Sequence, residues 1–130
     1  STLTASGGSD VDSRGTWQSD DLEIIASGGS DIEMTIDVDM LEVSCSGGSD
    51  IDLDGSADKL DLTSSGGSDF NGRNLISKTA SIRSSGGSDA YVHVTEKLVA
   101  RASGSSDIHY SGDPDIRDID TSSSSDVKKY

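Results

Sequence analysis

The chain has 130 residues, 24 of them acidic and 10 basic, for a net charge of −14; only 31% are hydrophobic and 4% aromatic. That charge excludes nucleic acid and anionic lipid as electrostatic partners, and the low apolar content suits a thin core with a narrow, repeated cross-section. Cys45 stands alone, which excludes an internal disulfide, and no apolar run approaches the length of a membrane span.

Composition of this acidic, Gly/Ser-rich kind also fits disorder, but the order of the residues speaks against it. The pentapeptide S-G-G-S-D occupies 6–10, 27–31, 46–50, 65–69 and 85–89; S-G-S-S-D follows at 103–107 and S-S-S-S-D at 122–126. The motifs therefore start at 6, 27, 46, 65, 85, 103 and 122, with offsets of 21, 19, 19, 20, 18 and 19 residues. Near-constant spacing of this kind marks a repeat architecture.

Apolar residues recur at fixed places around the motif. Directly after the Asp stand Val11, Ile32, Ile51, Phe70, Ala90, Ile108 and Val127. Three residues before the motif stand Leu3, Ile24, Val43, Leu62, Ile82, Ala100 and Ile119, and five before it Leu22, Leu41, Leu60, Ala80 and Leu98. The residue just before the motif is always small: Ala5, Ala26, Cys45, Ser64, Ser84, Ala102 and Thr121. Polar residues fill the places between, a period of two that predicts strands with one buried face. Carried through the motif, the alternation points the first Gly and the second Ser inward, and the first Ser and the Asp outward.

A period near 19 is too short for two helices and too long for a hairpin. It predicts an all-β solenoid with 19–20 residues per turn, in which equivalent strands pair in parallel. Residues 1–130 then form a single domain of roughly six and a half turns, a rod about 30 Å long at the ordinary strand spacing. The stretches 14–21, 35–40, 54–59, 72–79, 93–97 and 111–117 vary in length and composition and are expected to be loops. The chain opens at Ser1 without Met or signal peptide and is expected to be a mature form or a fragment.

The recurrent S-G-G-S-D-(V/I) run, the D-G-S-A-D-K-L-D-L stretch at 54–62 and the ending Y-S-G-D-P-D-I-R…S-S-S-S-D-V-K-K at 110–129 resemble the auto-transporter adhesin "head GIN" domain of bacterial envelope proteins. The resemblance covers nearly the whole chain. It implies a right-handed, single-stranded parallel β-helix, secretion, and an adhesin role at the cell surface, and it carries no catalytic residues. Members of that family usually have a further segment before the repeats, so an uncapped first turn or a preceding domain is expected.

Stacked outward carboxylates are the first candidate site. The motif Asp column (Asp10, Asp31, Asp50 and onward) runs beside a second column of Asp12, Glu33, Asp52, Asn71, Tyr91, His109 and Lys128. Calcium takes about six to eight oxygen ligands, so Asp10, Asp12, Asp31, Glu33, Asp50 and Asp52 form the candidate metal site, with calcium the one cofactor implied. The competing reading makes each motif Asp a turn acceptor for backbone N–H groups. The calcium-binding nonapeptide and the EF-hand loop are both missing from the sequence. Repulsion within the columns predicts raised carboxylate pKa values.

Trp17, among Arg14, Gln18, Asp20 and Asp21, is the candidate ligand-binding residue: a sugar platform, a protein hot spot, or a cap over the first turn. Cys45 falls in the small inward column and is expected to be buried and inert. His93 and His109 fall in different columns, so they do not form a metal or catalytic pair. The second-position serines are expected to form a hydrogen-bonded ladder, none acting as a nucleophile.

Charge is uneven along the chain. Residues 1–65 carry 15 acidic and 2 basic side chains, and residues 66–130 carry 9 and 8. Exposed strand edges at both ends, of unlike charge, suggest head-to-tail self-assembly. The expected function is a non-enzymatic adhesin-like or structural module, extracellular or on the cell envelope. Its expected partner is a second copy, a surface protein or a carbohydrate. The alternative is a carbohydrate-binding or carbohydrate-acting β-helix with a calcium-dependent acidic face. An ice-binding reading rests on the outward Ser row, but no T-x-T pattern accompanies it.

Overall fold

A computed structural model describes residues 2–122 and 125–129. Ser1, Tyr130 and, in the seventh motif copy, Ser123 and Ser124 lie outside the described residues. Nine strands follow in order: β1 (Thr2–Ala5), β2 (Asp10–Ala26), β3 (Asp31–Cys45), β4 (Asp50–Ser64), β5 (Asp69–Ser84), β6 (Asp89–Ala102), β7 (Asp107–Ser111), β8 (Ile116–Thr121) and β9 (Asp126–Lys129). They pair in parallel in the order β1-β2-β3-β4-β5-β6-β7-β9, with β8 also on β6. Each long strand is one coil, running from the Asp of one motif to the small residue before the next. The fold is a parallel β-solenoid of about seven coils.

Register follows the motif. Asp10, Asp31, Asp50, Asp69, Asp89, Asp107 and Asp126 form one unbroken column. Inside, Ile24, Val43, Leu62, Ile82 and Ala100 stack as another, all fully buried. Each buried Leu or Ile contributes roughly 1.5–3 kcal/mol relative to exposure. The columns thin out at the ends, where a residue has a neighbour on one side only. Leu3, Val11 and Val127 are partly buried, and Ile119, read from the sequence as core, is 42% exposed on the outermost rung.

Two expectations are corrected. The stretches read as loops are largely strand. Residues 35–38 pair in register with 54–57 below the bend, and Ile36, Val38, Ala57 and Leu75 point into the core. Variable length is absorbed by register shifts between Asp12 and Thr16, Asp52 and Asp54, and Gly72 and Ile76. The actual bends show as paired exposed residues, such as Asp39 and Met40 in β3.

The first Gly of each motif does not point inward. Gly28, Gly47 and Gly66 are exposed, as are the glycines that follow them. Both glycines of these copies are left-handed, with φ of 63–65° and 76–77°. Two such residues reverse the chain and break the two-residue alternation. Gly87 is not left-handed, and one coil further its place is taken by Ser105.

The second Ser of the motif does point inward, and it ties the corner together. The hydroxyls of Ser68, Ser88 and Ser106 lie 2.7–2.8 Å from the carbonyl oxygen three residues earlier. The same hydroxyls lie 2.9–3.2 Å from a carbonyl oxygen of the preceding coil. One hydroxyl proton is thus shared between a bond that closes the turn and a bond that joins two coils. Ser64 and Ser84 add contacts of 2.9 Å to Ser68 and 2.6 Å to Ser88.

Candidate functional site

The outward columns make the surface. Asp10, Asp12, Asp31, Glu33, Asp50 and Asp52, proposed from the sequence as calcium ligands, share one open groove of about 440 Å³ with Asp69 and Asn71. Among the described residues, no three His, Cys, Asp or Glu side chains are gathered around a common point that suits a metal ion. The carboxylates instead spread along the axis, one pair per coil. Burial, with the Asp54 charge second, raises the pKa of Asp52 against the opposing effect of Arg73. Burial, then the charges of Asp50 and Asp89, raises that of Asp69. The expected like-charge effect is therefore present, with desolvation as the larger cause.

The reading of the motif Asp as a turn acceptor is corrected. Among the described residues no motif carboxylate accepts a backbone N–H bond; the buried serines hold the corner instead. Corner Asp residues are thus left outward, with their charge facing solvent.

Higher on the same face the second column changes character. The Arg73 guanidinium lies 4.0 Å from the centroid of Tyr91. The Tyr91 and His109 rings stack at 4.7 Å with an 11° interplanar angle. Both faces of Tyr91 are therefore covered, which removes it as a sugar platform. Neighbouring His93 places Nδ1 2.8 Å from Ser111 Oγ, so the two histidines stand in separate columns as expected.

Trp17 stands in strand β2, paired with Ile36, on a column that continues through Gly55 to Leu75. It is 39% exposed, at the open rung of that column. Cys45 is buried, donates to the Thr63 carbonyl at 3.7 Å, and has its pKa raised by burial.

Around the corner lies a groove that the sequence alone does not reveal. It measures about 320 Å³ and is lined by the column of Thr63, Arg83, Arg101 and Asp120 and, two residues along each coil, by Ser85, Ser103 and Ser122. The column Thr63–Arg83–Arg101–Asp120 is continuous. Arg101 reaches Asp118 at 3.7 Å and Asp120 at 3.6 Å. The adjacency of the two arginines and the outward serine row were each legible from the period; that they line one groove was not.

The family model described as "Putative auto-transporter adhesin, head GIN domain" matches residues 1–114. No curated protein matches the chain. Among solved structures, a "putative adhesin" of Bacteroides fragilis NCTC 9343 superposes with a TM-score of 0.89 at 25% identity, covering 93% of this chain and 56% of that one. A "putative lipid binding protein" of Parabacteroides distasonis ATCC 8503 gives 0.83 at 25% identity, covering 100% and 56%. A "putative adhesin" of the same organism gives 0.90 at 24% identity, covering 99% and 55%. The chain thus spans a little over half the length of these structures.

Proposed function

Because this chain belongs to the family described as "Putative auto-transporter adhesin, head GIN domain", we propose that it is a non-enzymatic, adhesin-like β-solenoid module displayed on a bacterial surface. The observation that carries this reading is the constant register of the columns flanking the motif. It converts each outward residue type into a stripe along the axis: acidic, aromatic-basic, or hydroxyl-rich. Such stripes form extended, shallow surfaces for multivalent contact. The inward hydroxyls of Ser68, Ser88 and Ser106 are engaged in the corner ladder.

The finer part of the proposal is end-to-end association with a second copy. Continuing the columns across a joint sets Leu3 against Ile119, Val11 against Val127, and Lys128 against Asp12. Asp126 against Asp10 opposes the joint. A heterologous contact of this kind propagates as a filament. Light scattering coupled to size exclusion, at low and high salt, tests it. Concentration-dependent assembly at low salt is expected, weakened in Lys128→Glu. A monomer throughout removes the assembly and leaves the adhesive module standing, which is tested separately by retention of chain-coated beads on glycan- or protein-coated surfaces. No retention on any such surface would count against the adhesive reading.

A second reading is favoured by the raised carboxylates of the acidic groove. In it Asp10, Asp12, Asp31, Glu33, Asp50 and Asp52 attract calcium along the strip, offsetting the burial and like-charge repulsion that raise Asp52 and Asp69. Repeating the light scattering and thermal unfolding with calcium and with magnesium tests it. A calcium-specific rise in Tm supports a site, and equal effects of both ions reduce it to screening.

A further inference from the structure

We propose that the groove beside Arg83 and Arg101 binds the anionic group, a carboxylate or a sulfate ester, of a sparsely charged acidic glycan. The proposal rests on reading the sides of the solenoid as the adhesive surface and names the ligand chemistry of one such side.

The argument begins with register. Arg83 and Arg101 pair directly across β5 and β6, so their backbones stand about 4.8 Å apart. Like charges directly opposite one another are destabilising. Arg101 is offset by Asp118 and Asp120 on the next rung. Arg83 has no such relief: among the described residues no carboxylate lies within 4.0 Å of it, and the residue beneath it is Thr63. Its guanidinium is exposed and borders the groove. A planar fork of donors without a protein acceptor matches a carboxylate or sulfate, which takes two parallel hydrogen bonds.

The serine row beside the arginines explains why the ligand is a sugar. Ser85, Ser103 and Ser122 repeat along the groove at the coil spacing. Each presents a neutral hydroxyl that both donates and accepts, the complement of a chain of sugar hydroxyls. Asp120 closes one end and disfavours a second anion beside the first. The N-terminal half of the chain, with 15 acidic and 2 basic side chains, is strongly acidic. A densely charged polymer such as duplex DNA, with a charge about every 1.7 Å, is therefore repelled, whereas one anion set among neutral sugars reaches the arginine pair alone.

Calorimetric titration of the full chain tests the assignment with four probes: an oligogalacturonate, a sulfated galactan oligomer, a neutral galactan oligomer and a Glu-rich peptide. At least one acidic glycan should bind, with the neutral oligomer about tenfold weaker or worse. Which of the two binds separates carboxylate from sulfate as the recognised group. Arg83→Gln should weaken binding by about tenfold, Arg83→Lys by less, because Lys keeps the charge without the fork. Arg117→Gln, whose guanidinium is paired with Asp113 outside the groove, should leave it unchanged. Circular dichroism confirms that each variant folds. Absence of binding by both acidic glycans, equal binding by Arg83→Gln and the parent, or binding of the peptide alone would each overturn the assignment. Equal retention of Arg83→Gln-coated and parent-coated beads on acidic-glycan surfaces across a dilution series of the coating would do the same, while leaving the adhesive module intact.

Discussion

Three glycine-to-alanine changes separate backbone strain from steric exclusion in the coil. At Gly55, φ is +115°, and a Cβ would stand 1.9 Å from the Ile36 carbonyl oxygen and 2.9 Å from its carbon. That oxygen belongs to the backbone of the adjacent coil, so it cannot swing aside as a side chain would. The strained conformation costs about 1–3 kcal/mol, and forcing two packed coils apart costs about 1–3 kcal/mol more. At Gly67, φ is +76° but nothing lies within 4 Å of the added methyl. Only the left-handed penalty of about 1–2 kcal/mol applies there. Gly87 carries neither burden; Ala there changes stability by less than about 0.5 kcal/mol, or stabilises slightly by restricting the unfolded chain. Urea unfolding followed by far-ultraviolet circular dichroism should rank the variants Gly87→Ala, Gly67→Ala, Gly55→Ala in order of increasing loss. At about 4 °C per kcal/mol for a chain of this size, Gly55→Ala should lower Tm by roughly 10–20 °C. A Gly55→Ala variant as stable as Gly87→Ala would refute the close coil-to-coil approach at Ile36.

The Ser ladder predicts that Ser88→Ala costs about 1–3 kcal/mol, since its hydroxyl serves Ser85, Ser64 and Ser84 and burial leaves those groups without water. Ser9→Ala, on the exposed first rung, should cost less than Ser88→Ala in the same unfolding assay. Asp52 and Asp69 have folded pKa values raised above the ordinary 3.8, so the folded state binds more protons than the unfolded state. Their contribution to stability is fully present below pH 3.8 and is lost as pH rises through the raised values. Asp69→Asn should accordingly stabilise the protein at neutral pH and flatten this part of the Tm–pH curve; an unchanged curve would count against the groove electrostatics. Cys45, whose thiol burial raises above its ordinary 9.0, should resist alkylation in the native state and label at the rate of unfolding. Cys45→Ser should be tolerated, because the same column holds Ser64 and Ser84.

Much of this was legible because a fixed period makes one residue testify for six others. Ile51 directly after Asp50 is weak information alone; with Ile32, Phe70 and Ile108 in the same place it defines a core column. The column of Asp12, Glu33, Asp52, Asn71, Tyr91, His109 and Lys128 was readable in the same way. Two kinds of information were not carried by the period. Alternation assumes extended backbone, so it failed at Gly28 and Gly29, where two left-handed residues turn the chain. Spacing also says nothing of bulges, so the irregular stretches around Asp12–Thr16 and Gly72–Ile76 looked like loops although their ends stay paired. Side-chain direction was the other gap. Neighbouring places for Arg83 and Arg101, and the outward serine row, follow from counting, but their meeting in one groove depends on how sharply the corner folds.

The stacking of coils also sets how the module bears load. The backbone hydrogen bonds between coils run along the solenoid axis, as parallel pairing of β2 through β6 requires. Tension applied along that axis meets the bonds of one rung at a time and peels them, whereas tension along the strands would have to shear a whole row at once. Each released coil of 19 residues extends to roughly 65 Å, from an original rise of about 4.8 Å. Pulled from its two ends, the rod therefore yields in steps of about 60 Å, lengthening coil by coil instead of failing at once.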